Sequence, residues 1–259
     1  MYSKEAFGTF VLTGSDHLEK GELSQDSATA VYRDGEFLLV VSDGAGSAKN
    51  GGLGARELVA SAERAFAEFD NSLEMNSEGV RRFVERFVTQ FRASCSERSS
   101  AIGEVLDDYH CTLVGAVGSA DGNFCTFHVG DGAVVFVPDH EGSPGIISAP
   151  ANSEYHNETF FVTQKDWERA LRVKRYTPVH DGTILVMSDG LTPFAIGGNE
   201  AFSGFLCPLA KFLNDSDVSE VEVGLAATLS SEKAVAVSRD DKSLAWIRVE
   251  ATDEGSPSI

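Results

Sequence analysis

Several apolar, strand-like runs in this chain end on an aspartate that is followed at once by glycine. Phe37-Leu38-Leu39-Val40-Val41-Ser42 leads into Asp43-Gly44, Phe127-His128-Val129-Gly130 into Asp131-Gly132, and Ile184-Leu185-Val186-Met187-Ser188 into Asp189-Gly190. A fourth acidic pair, Asp240-Asp241, stands just before the late apolar run Leu244-Ala245-Trp246-Ile247. Asp-Gly alone is a good turn dipeptide, and that reading suffices for Asp34, Asp121 and Asp181, which lie between strands or before one. Asp43, Asp131 and Asp189 differ because each follows an apolar run. A strand end fixes a carboxylate in place, and the glycine behind it lets backbone approach a bound ion closely. Repeated along one chain, this arrangement calls for strand ends that gather carboxylates around hard metal ions, which prefer oxygen ligands.

The hydrophobic period orders the rest. Phe7 to Thr13 reads as a strand, and Ser27 to Tyr32 with Phe37 to Ser42 as a hairpin across Arg33-Asp34-Gly35-Glu36. Leu58, Ala62, Ala65, Phe66 and Phe69 share one face of a helix that begins near Leu53. Val80, Phe83, Val84, Phe87, Val88 and Phe91 recur in threes and fours as a second amphipathic helix, with Asn76 and Ser77 as cap candidates. After Tyr109 the period becomes that of strands, and Cys111 to Val117, Phe124 to Val129 and Ala133 to Val137 read as a meander. His140 to Pro150 reads as a loop or a weak strand pair, and residues 152–178 as irregular with a short helix around Trp167. Thr183 to Ser188 lacks polar alternation and is expected to be a central strand. Helices follow at Phe202 to Leu213, despite Pro208, and at Val218 to Leu229, before a last strand at Ser243 to Val249.

Strands at both ends thus surround two helical pairs without regular strand–helix alternation. This order argues against a Rossmann-type fold and for an α+β fold of largely antiparallel sheets covered by helices. Residues 1–250 are expected to form a single domain, and 251–259 a polar, frayed tail.

Composition narrows the function. Twenty-one basic against 40 acidic side chains give a net charge of −19 over 259 residues, which repels nucleic acid and anionic membrane. No apolar stretch approaches the ~20 residues that span a bilayer. The start, Met1-Tyr2-Ser3-Lys4-Glu5, does not read as a secretory signal. Cys95, Cys111, Cys125 and Cys207 lack Cys-x-x-Cys spacing and read as reduced thiols of a cytoplasmic protein. His110, His128, His140, His156 and His180 show no zinc-ligand spacing with them.

The segment from Val40-Val41-Ser42-Asp43-Gly44-Ala45-Gly46-Ser47 to Gly51-Gly52-Leu53-Gly54-Ala55 resembles the signature of metal-dependent protein phosphatases of the 2C type, the PPM family. It is most similar to a bacterial branch with an Asp-Gly-Ala-Gly-Ser motif. Gln25-Asp26 resembles the family's early acidic motif, and Val129-Gly130-Asp131-Gly132 its Gly-Asp-Ser motif. Ser188-Asp189-Gly190-Leu191 and Ser238-Arg239-Asp240-Asp241-Lys242-Ser243 resemble its two late metal motifs. Five short motifs in family order, spanning residues 7 to 249, make the match specific. The resemblance implies a four-layer α-β-β-α sandwich, two antiparallel sheets flanked by helices, with a binuclear metal cleft at one edge. It implies two Mg²⁺ or Mn²⁺ ions, bridged by Asp43, with the Gly44 carbonyl on one and Asp189 and Asp240 on the other. Asp26 would lie by the metal–water network and act with Asp43 in catalysis, and Asp131 near a third, weaker site. Asp240 is preferred to Asp241 because the family places its ligand first, and Asp241 stands where Asn is usual.

The departures concern the grip on phosphate. Many relatives carry an Arg five residues before the early acid; here Gly21 holds that place, and His17 or Lys20 are the candidates to substitute. His17 is also the candidate general acid, since a proton donor at neutral pH needs a pKa near 7. Ala45 stands where eukaryotic relatives have His, and Gln25 where some have a carboxylate. The stretch from Gly190 to Leu229 corresponds to the family's variable flap.

The implied activity is hydrolysis of phosphoserine or phosphothreonine in a protein substrate by a metal-bridging hydroxide, without a phosphoenzyme. A Ser/Thr kinase would be its counterpart in bacterial signalling. The alternative is a catalytically weak or inactive phosphatase-like binding or regulatory module, yet Asp43, Asp189 and Asp240 are all present. An enzyme with an aspartyl-phosphate intermediate would need Asp-x-Asp after an early strand, which is absent. A calcium-stabilised sandwich would keep the acids for structure alone.

Overall fold

The computed structural model describes residues 6–68, 74–119, 122–139, 143–150, 159–198 and 200–251. The expected turn at Asp121, His140, His156 and the tail beyond Ala251 lie outside these residues. The strands are β1 (Phe7–Leu12), β2 (Ser27–Arg33), β3 (Glu36–Ser42), β4 (Leu113–Ser119), β5 (Phe124–Val129), β6 (Ala133–Pro138), β7 (Gly145–Ser148), β8 (Arg172–Tyr176), β9 (Gly182–Met187), β10 (Ile196–Gly197), β11 (Glu200–Ala201) and β12 (Lys242–Val249). The helices are α1 (Ser15–Lys20), α2 (Gly51–Ala67), α3 (Ser77–Ile102), α4 (Trp167–Ala170), α5 (Thr192–Ala195), α6 (Ser203–Asp215), α7 (Val218–Leu229) and α8 (Glu232–Val235).

Two five-stranded sheets form, in the orders β2-β3-β4-β5-β8 and β1-β12-β9-β6-β7, with every pairing antiparallel. Alternate side chains of a strand point to opposite faces, and here both faces are buried. In β3, Leu38 and Val40 join a core with Leu58, Phe66, Phe83 and Phe87 of α2 and α3. Phe37, Leu39 and Val41 instead meet Val134, Ile184, Val186 and Ala245 of the facing sheet. In the second sheet Leu185, Met187, Leu244 and Trp246 turn outward onto Leu206, Leu213, Val221 and Leu225 of α6 and α7. Three apolar layers therefore separate four layers of structure, α-β-β-α, and the runs that lack polar alternation do so because both their faces are covered.

Local chemistry sets the element ends. At the β2–β3 hairpin Asp34 and Gly35 both take positive φ, 53° and 84°, the backbone of a type I′ turn that matches the twist of the strands. Asn76 caps α3 by accepting from Glu78 N–H (3.1 Å) and Gly79 N–H (2.9 Å), and Gly103 closes it at φ 75°. That helix runs to Ile102, beyond the stripe ending at Phe91, because Cys95 and Ser99 extend its buried face. Helix α6 continues through Pro208, giving up one backbone bond.

The expected meander is corrected. β4 and β5 pair, but β6 leaves for the other sheet and pairs with β7 and β9. The crossing occurs at Gly130-Asp131-Gly132, where Gly130 has φ 120°. β8 is an edge strand with three basic residues, Arg172, Lys174 and Arg175, so it carries little of the apolar signal that marks a buried strand.

Candidate metal centre

The antiparallel order brings the polar ends of several strands to one rim. Asp26 precedes β2, Asp43 follows β3, Asp131 lies in the β5–β6 crossing, Asp189 follows β9, and Asp240 precedes β12. One carboxylate oxygen each from Asp43, Asp131 and Asp189 lie within 4.8 Å of one another. Asp26 is buried and accepts from Ser243 Oγ at 2.7 Å. The charge of Asp240 acts on both Asp43 and Asp189.

Glycine allows this convergence in a way the sequence did not disclose. A Cβ on Gly190 would stand 1.8 Å from the carbonyl oxygen of Asp241, and one on Gly132 2.5 Å from that of Met187. Neither glycine has positive φ. They serve close contact between strand ends rather than turning, in contrast to Asp34-Gly35. Asp181, at the opposite end of β9 from Asp189, accepts from Arg248 (3.3 Å) and from Ala251 N–H (2.9 Å).

The backbone of Asp43 is clamped by Thr112. Asp43 N–H donates to Thr112 Oγ1 (3.0 Å), Thr112 N–H donates to the Asp43 carbonyl (2.9 Å), and Ser42 Oγ donates to the Thr112 carbonyl (2.7 Å). Gly44 N–H donates to the Gln25 carbonyl at 3.2 Å. Gly44 packs against Gly51 at the start of α2, whose N-terminal end carries partial positive charge. Among the described residues no hydrogen-bond donor reaches the carbonyl of Gly44.

These carboxylates resist ionisation together. Burial, and then the charges of Asp26, Asp189, Asp131 and Asp240, hold Asp43 well above the usual carboxylate range. Asp189 is pushed up to about 8, first by burial and then by Asp131, Asp240 and Asp26. Asp26 is raised to about 6, with burial outweighing its hydrogen bonds from Ser243 and Ser188. Asp131 gives one oxygen to Thr159 Oγ1 (2.6 Å), while its Oδ1 is buried without a partner. Crowded carboxylates, an orphaned oxygen and an unpaired carbonyl are the donor set of a hard divalent cation, and they fit such an ion.

Asp241 has other work. It is buried, and its two oxygens accept from Gly14 N–H and Gln25 N–H, both at 2.6 Å. His17 Nδ1 lies 3.0 Å from the same carboxylate and His17 Nε2 lies 4.0 Å from Glu22. Among the described residues neither Asp241 nor His17 belongs to the trio of Asp43, Asp131 and Asp189. Lys20 is exposed in the last turn of α1 and makes no ion pair among the described residues. Lys242 escaped the sequence reading. Its buried ammonium donates to the carbonyls of Ser238 (3.0 Å) and Asp240 (2.7 Å), holding the loop that carries Asp240. Burial lowers its pKa against the opposing charges of Asp240, Asp241 and Asp26. A lysine opening an otherwise apolar strand was the available signal.

Paired sheets clad in helices, with a carboxylate rim suited to hard divalent ions, define a protein able to hold metal at one sheet edge. The family model for Protein phosphatase 2C matches residues 13–230. The chain belongs to the protein phosphatase 2C family and is a metal-dependent serine/threonine phosphatase. Among solved structures, a bacterial serine phosphatase is 17% identical, with TM-score 0.66, and the match covers 96% of this chain and 99% of that one. The serine/threonine phosphatase of S. agalactiae is 17% identical, with TM-score 0.65, over 94% of this chain and 100% of its own. RsbX in complex with magnesium is 12% identical, with TM-score 0.55, over 93% and 94%. At these identities the likeness is one of fold. No curated protein sequence matches.

Proposed function

We propose that Asp43, Asp189 and Asp240, with the Gly44 carbonyl, hold two Mg²⁺ or Mn²⁺ ions, and that Asp131 serves a third, weaker site. The observation that supports this reading is the meeting of Asp43, Asp131 and Asp189 oxygens within 4.8 Å, with Asp131 Oδ1 unpaired; Asp240 stands outside that trio and is included because its charge acts on both Asp43 and Asp189. When bound, such ions draw electron density from a phosphoryl group and acidify water. The chain supplies the rest. Thr112 fixes Asp43, so the ligand does not reorganise during reaction. Asp26, held through Oδ2 by Ser243 and adjoining the carboxylate rim, is assigned the part of accepting a proton from water. We assign His17 a positioning part through Asp241, and Lys20 a contact with substrate phosphate.

The substrate is a phosphorylated protein, the counterpart enzyme a Ser/Thr kinase, and the setting cytoplasmic bacterial signalling. A groove of about 340 Å³ lies between Ile146, Ala149 and Pro150 on one side and Thr192, Pro193 and Ile196 on the other. Its Thr192 lies three residues after Asp189 and donates through Oγ1 to the Asp189 carbonyl at 2.8 Å, and we assign this groove to a residue flanking the phosphorylated one. The inactive-module alternative has no observation in its favour, since no metal acid is missing.

The test is Mn²⁺-dependent hydrolysis of p-nitrophenyl phosphate and a phosphothreonine peptide by Asp43→Asn and Asp189→Asn. Each is expected to lose at least ~100-fold in kcat and to bind Mn²⁺ weakly by calorimetry. Wild-type rates in both variants would overturn the assignment.

A further inference from the structure

Hydrolysis of an alkyl phosphate expels an alkoxide, which needs a proton as the P–O bond breaks. We propose that His110 is the general acid and supplies that proton from Nε2; the inference rests on the phosphatase reading above.

The backbone register sets His110 beside the centre. Ala45 N–H donates to the His110 carbonyl (2.9 Å) and Gly44 bridges Cys111 in antiparallel fashion, with Thr112 bonded to Asp43. In this register Asp43 faces Thr112 and His110 is its diagonal neighbour, about 7–8 Å away. Alternation then decides the face. Cys111 is buried in the core beneath α2 and α3, with Leu38 and Val40, so Thr112 and His110 on either side of it turn the other way. Asp43 shares that face, two residues beyond Val41 of the inter-sheet layer.

The imidazole is also oriented. It stacks on Phe161 with ring centroids 4.9 Å apart and an interplanar angle of 14°. Its Nδ1 lies 2.6 Å from Thr163 Oγ1. The segment bearing both partners is pinned by Arg92, which donates to the carbonyls of Val162 (2.6 Å) and Gln164 (2.9 Å). Val162 N–H adds a bond to the Cys111 carbonyl (3.1 Å). Two residues before Phe161, Thr159 holds Asp131, so one segment braces both the carboxylate rim and the imidazole. A hydroxyl both donates and accepts, so Thr163 satisfies Nδ1 in the neutral ring and in the cation. Nε2 is left to carry the proton, and among the described residues it has no hydrogen-bond partner.

In the step, the oxygen of a water molecule bonds to phosphorus as the ester P–O bond breaks. The electron pair of that bond goes to the Ser or Thr oxygen, which takes the proton from His110 Nε2. The products are the free hydroxyl side chain and inorganic phosphate, and the proton lost by the attacking water restores the imidazolium.

Leaving-group dependence tests this. p-Nitrophenolate departs without a proton, whereas a threonine alkoxide does not. In the full chain with Mn²⁺, His110→Gln is expected to lower kcat on a phosphothreonine peptide about 100-fold. That loss should exceed the loss on p-nitrophenyl phosphate by at least about 10-fold. Equal losses on both substrates, or no loss on either, overturn the proposal. Thermal unfolding and Mn²⁺ calorimetry establish that the variant is folded and loaded. Should it be unfolded, Thr163→Val, which keeps the imidazole but removes the partner of Nδ1, must lower the peptide-to-aryl ratio, and an unmoved ratio counts against the role. Absence of Mn²⁺-dependent aryl phosphatase activity in the wild type would sink the phosphatase reading itself; an active wild type with an unmoved ratio sinks only His110.

Discussion

The carboxylate of Asp241 lies 3.0 Å from Nδ1 of His17 and, in the same position, accepts backbone N–H groups from Gly14 and Gln25 at 2.6 Å each. The stretch from Gly14 to Gln25 is thereby tied to a buried acid remote from it in sequence. Asp241→Asn would turn an NH₂ group toward one of those N–H donors, and a buried bond left unmade costs about 1–3 kcal/mol. The variant is expected to lose about 2 kcal/mol of stability in urea unfolding. It should also bind Mn²⁺ more weakly, since Asp241 N–H donates to Asp240 Oδ1 (2.8 Å) and Gln25 precedes Asp26. Wild-type values for both would show that the contact fixes nothing.

Gly190→Ala tests the close approach at the strand ends. The added Cβ would meet the Asp241 carbonyl oxygen at 1.8 Å, and backbone on both sides leaves little room to yield. A loss of about 3 kcal/mol or more is expected, together with loss of metal-dependent activity. Gly35→Ala, at an exposed turn with open space around it, perturbs only a strained φ and should cost about 1 kcal/mol. Denaturant midpoints of the two variants measure the contrast, and equal midpoints would remove close contact as the reason for Gly190.

Asp131→Asn separates the weaker ion from the tight pair. Its Oδ2 bond to Thr159 can persist while the charge disappears. Calorimetry at high Mn²⁺ should then find one ion fewer, with the tightest binding retained and the Mn²⁺ concentration for half-maximal activity raised. If tight binding is lost as in Asp43→Asn, Asp131 belongs to the principal pair instead.

Metal and proton compete at this rim. Without metal, Asp26 rises to about 6 and Asp189 to about 8 from the ordinary 3.8. A folded pKa above the unfolded one means that the native state keeps protons the unfolded chain has released. The stability so contributed is complete below the unfolded value and is lost as pH rises through about 6 and about 8. His128, which burial lowers to about 3, acts with the opposite sign, losing stability as pH falls. Comparing stripped with Mn²⁺-loaded protein largely cancels its effect. The gap in melting temperature between the two forms should therefore widen from about pH 5 to about pH 8; a constant gap would contradict the coupling.

The parts of the fold legible in the sequence are those whose cause is local. The hairpin at Asp34-Gly35, the cap at Asn76 and helix α7 follow from turn chemistry, side-chain capping and apolar period. The sandwich itself was implied by the family motifs and agreed with the element order. The departure of β6 to the second sheet was not legible, because nothing near Gly130 states which partner Ala133 to Pro138 will find. β8 was missed because its edge position tolerates Arg172, Lys174 and Arg175. At the rim, spacing after apolar runs picked out the three aspartates that meet. Lys242, Thr112 and His110 were not picked out, since their places depend on pairing between segments far apart in the chain.

Strand β12 sits between β1 and β9, and among the described residues β1 has no other neighbour in its sheet. Asp240 stands at the entrance to β12, so the carboxylate set and this sheet are completed by the same late segment. A chain still emerging from the ribosome has Asp26, Asp43, Asp131 and Asp189 long before it has β12. Pairing across so large a sequence separation is slow. On the ligand set proposed above, metal-dependent hydrolysis is expected to begin only after β12 has slotted between two strands made much earlier.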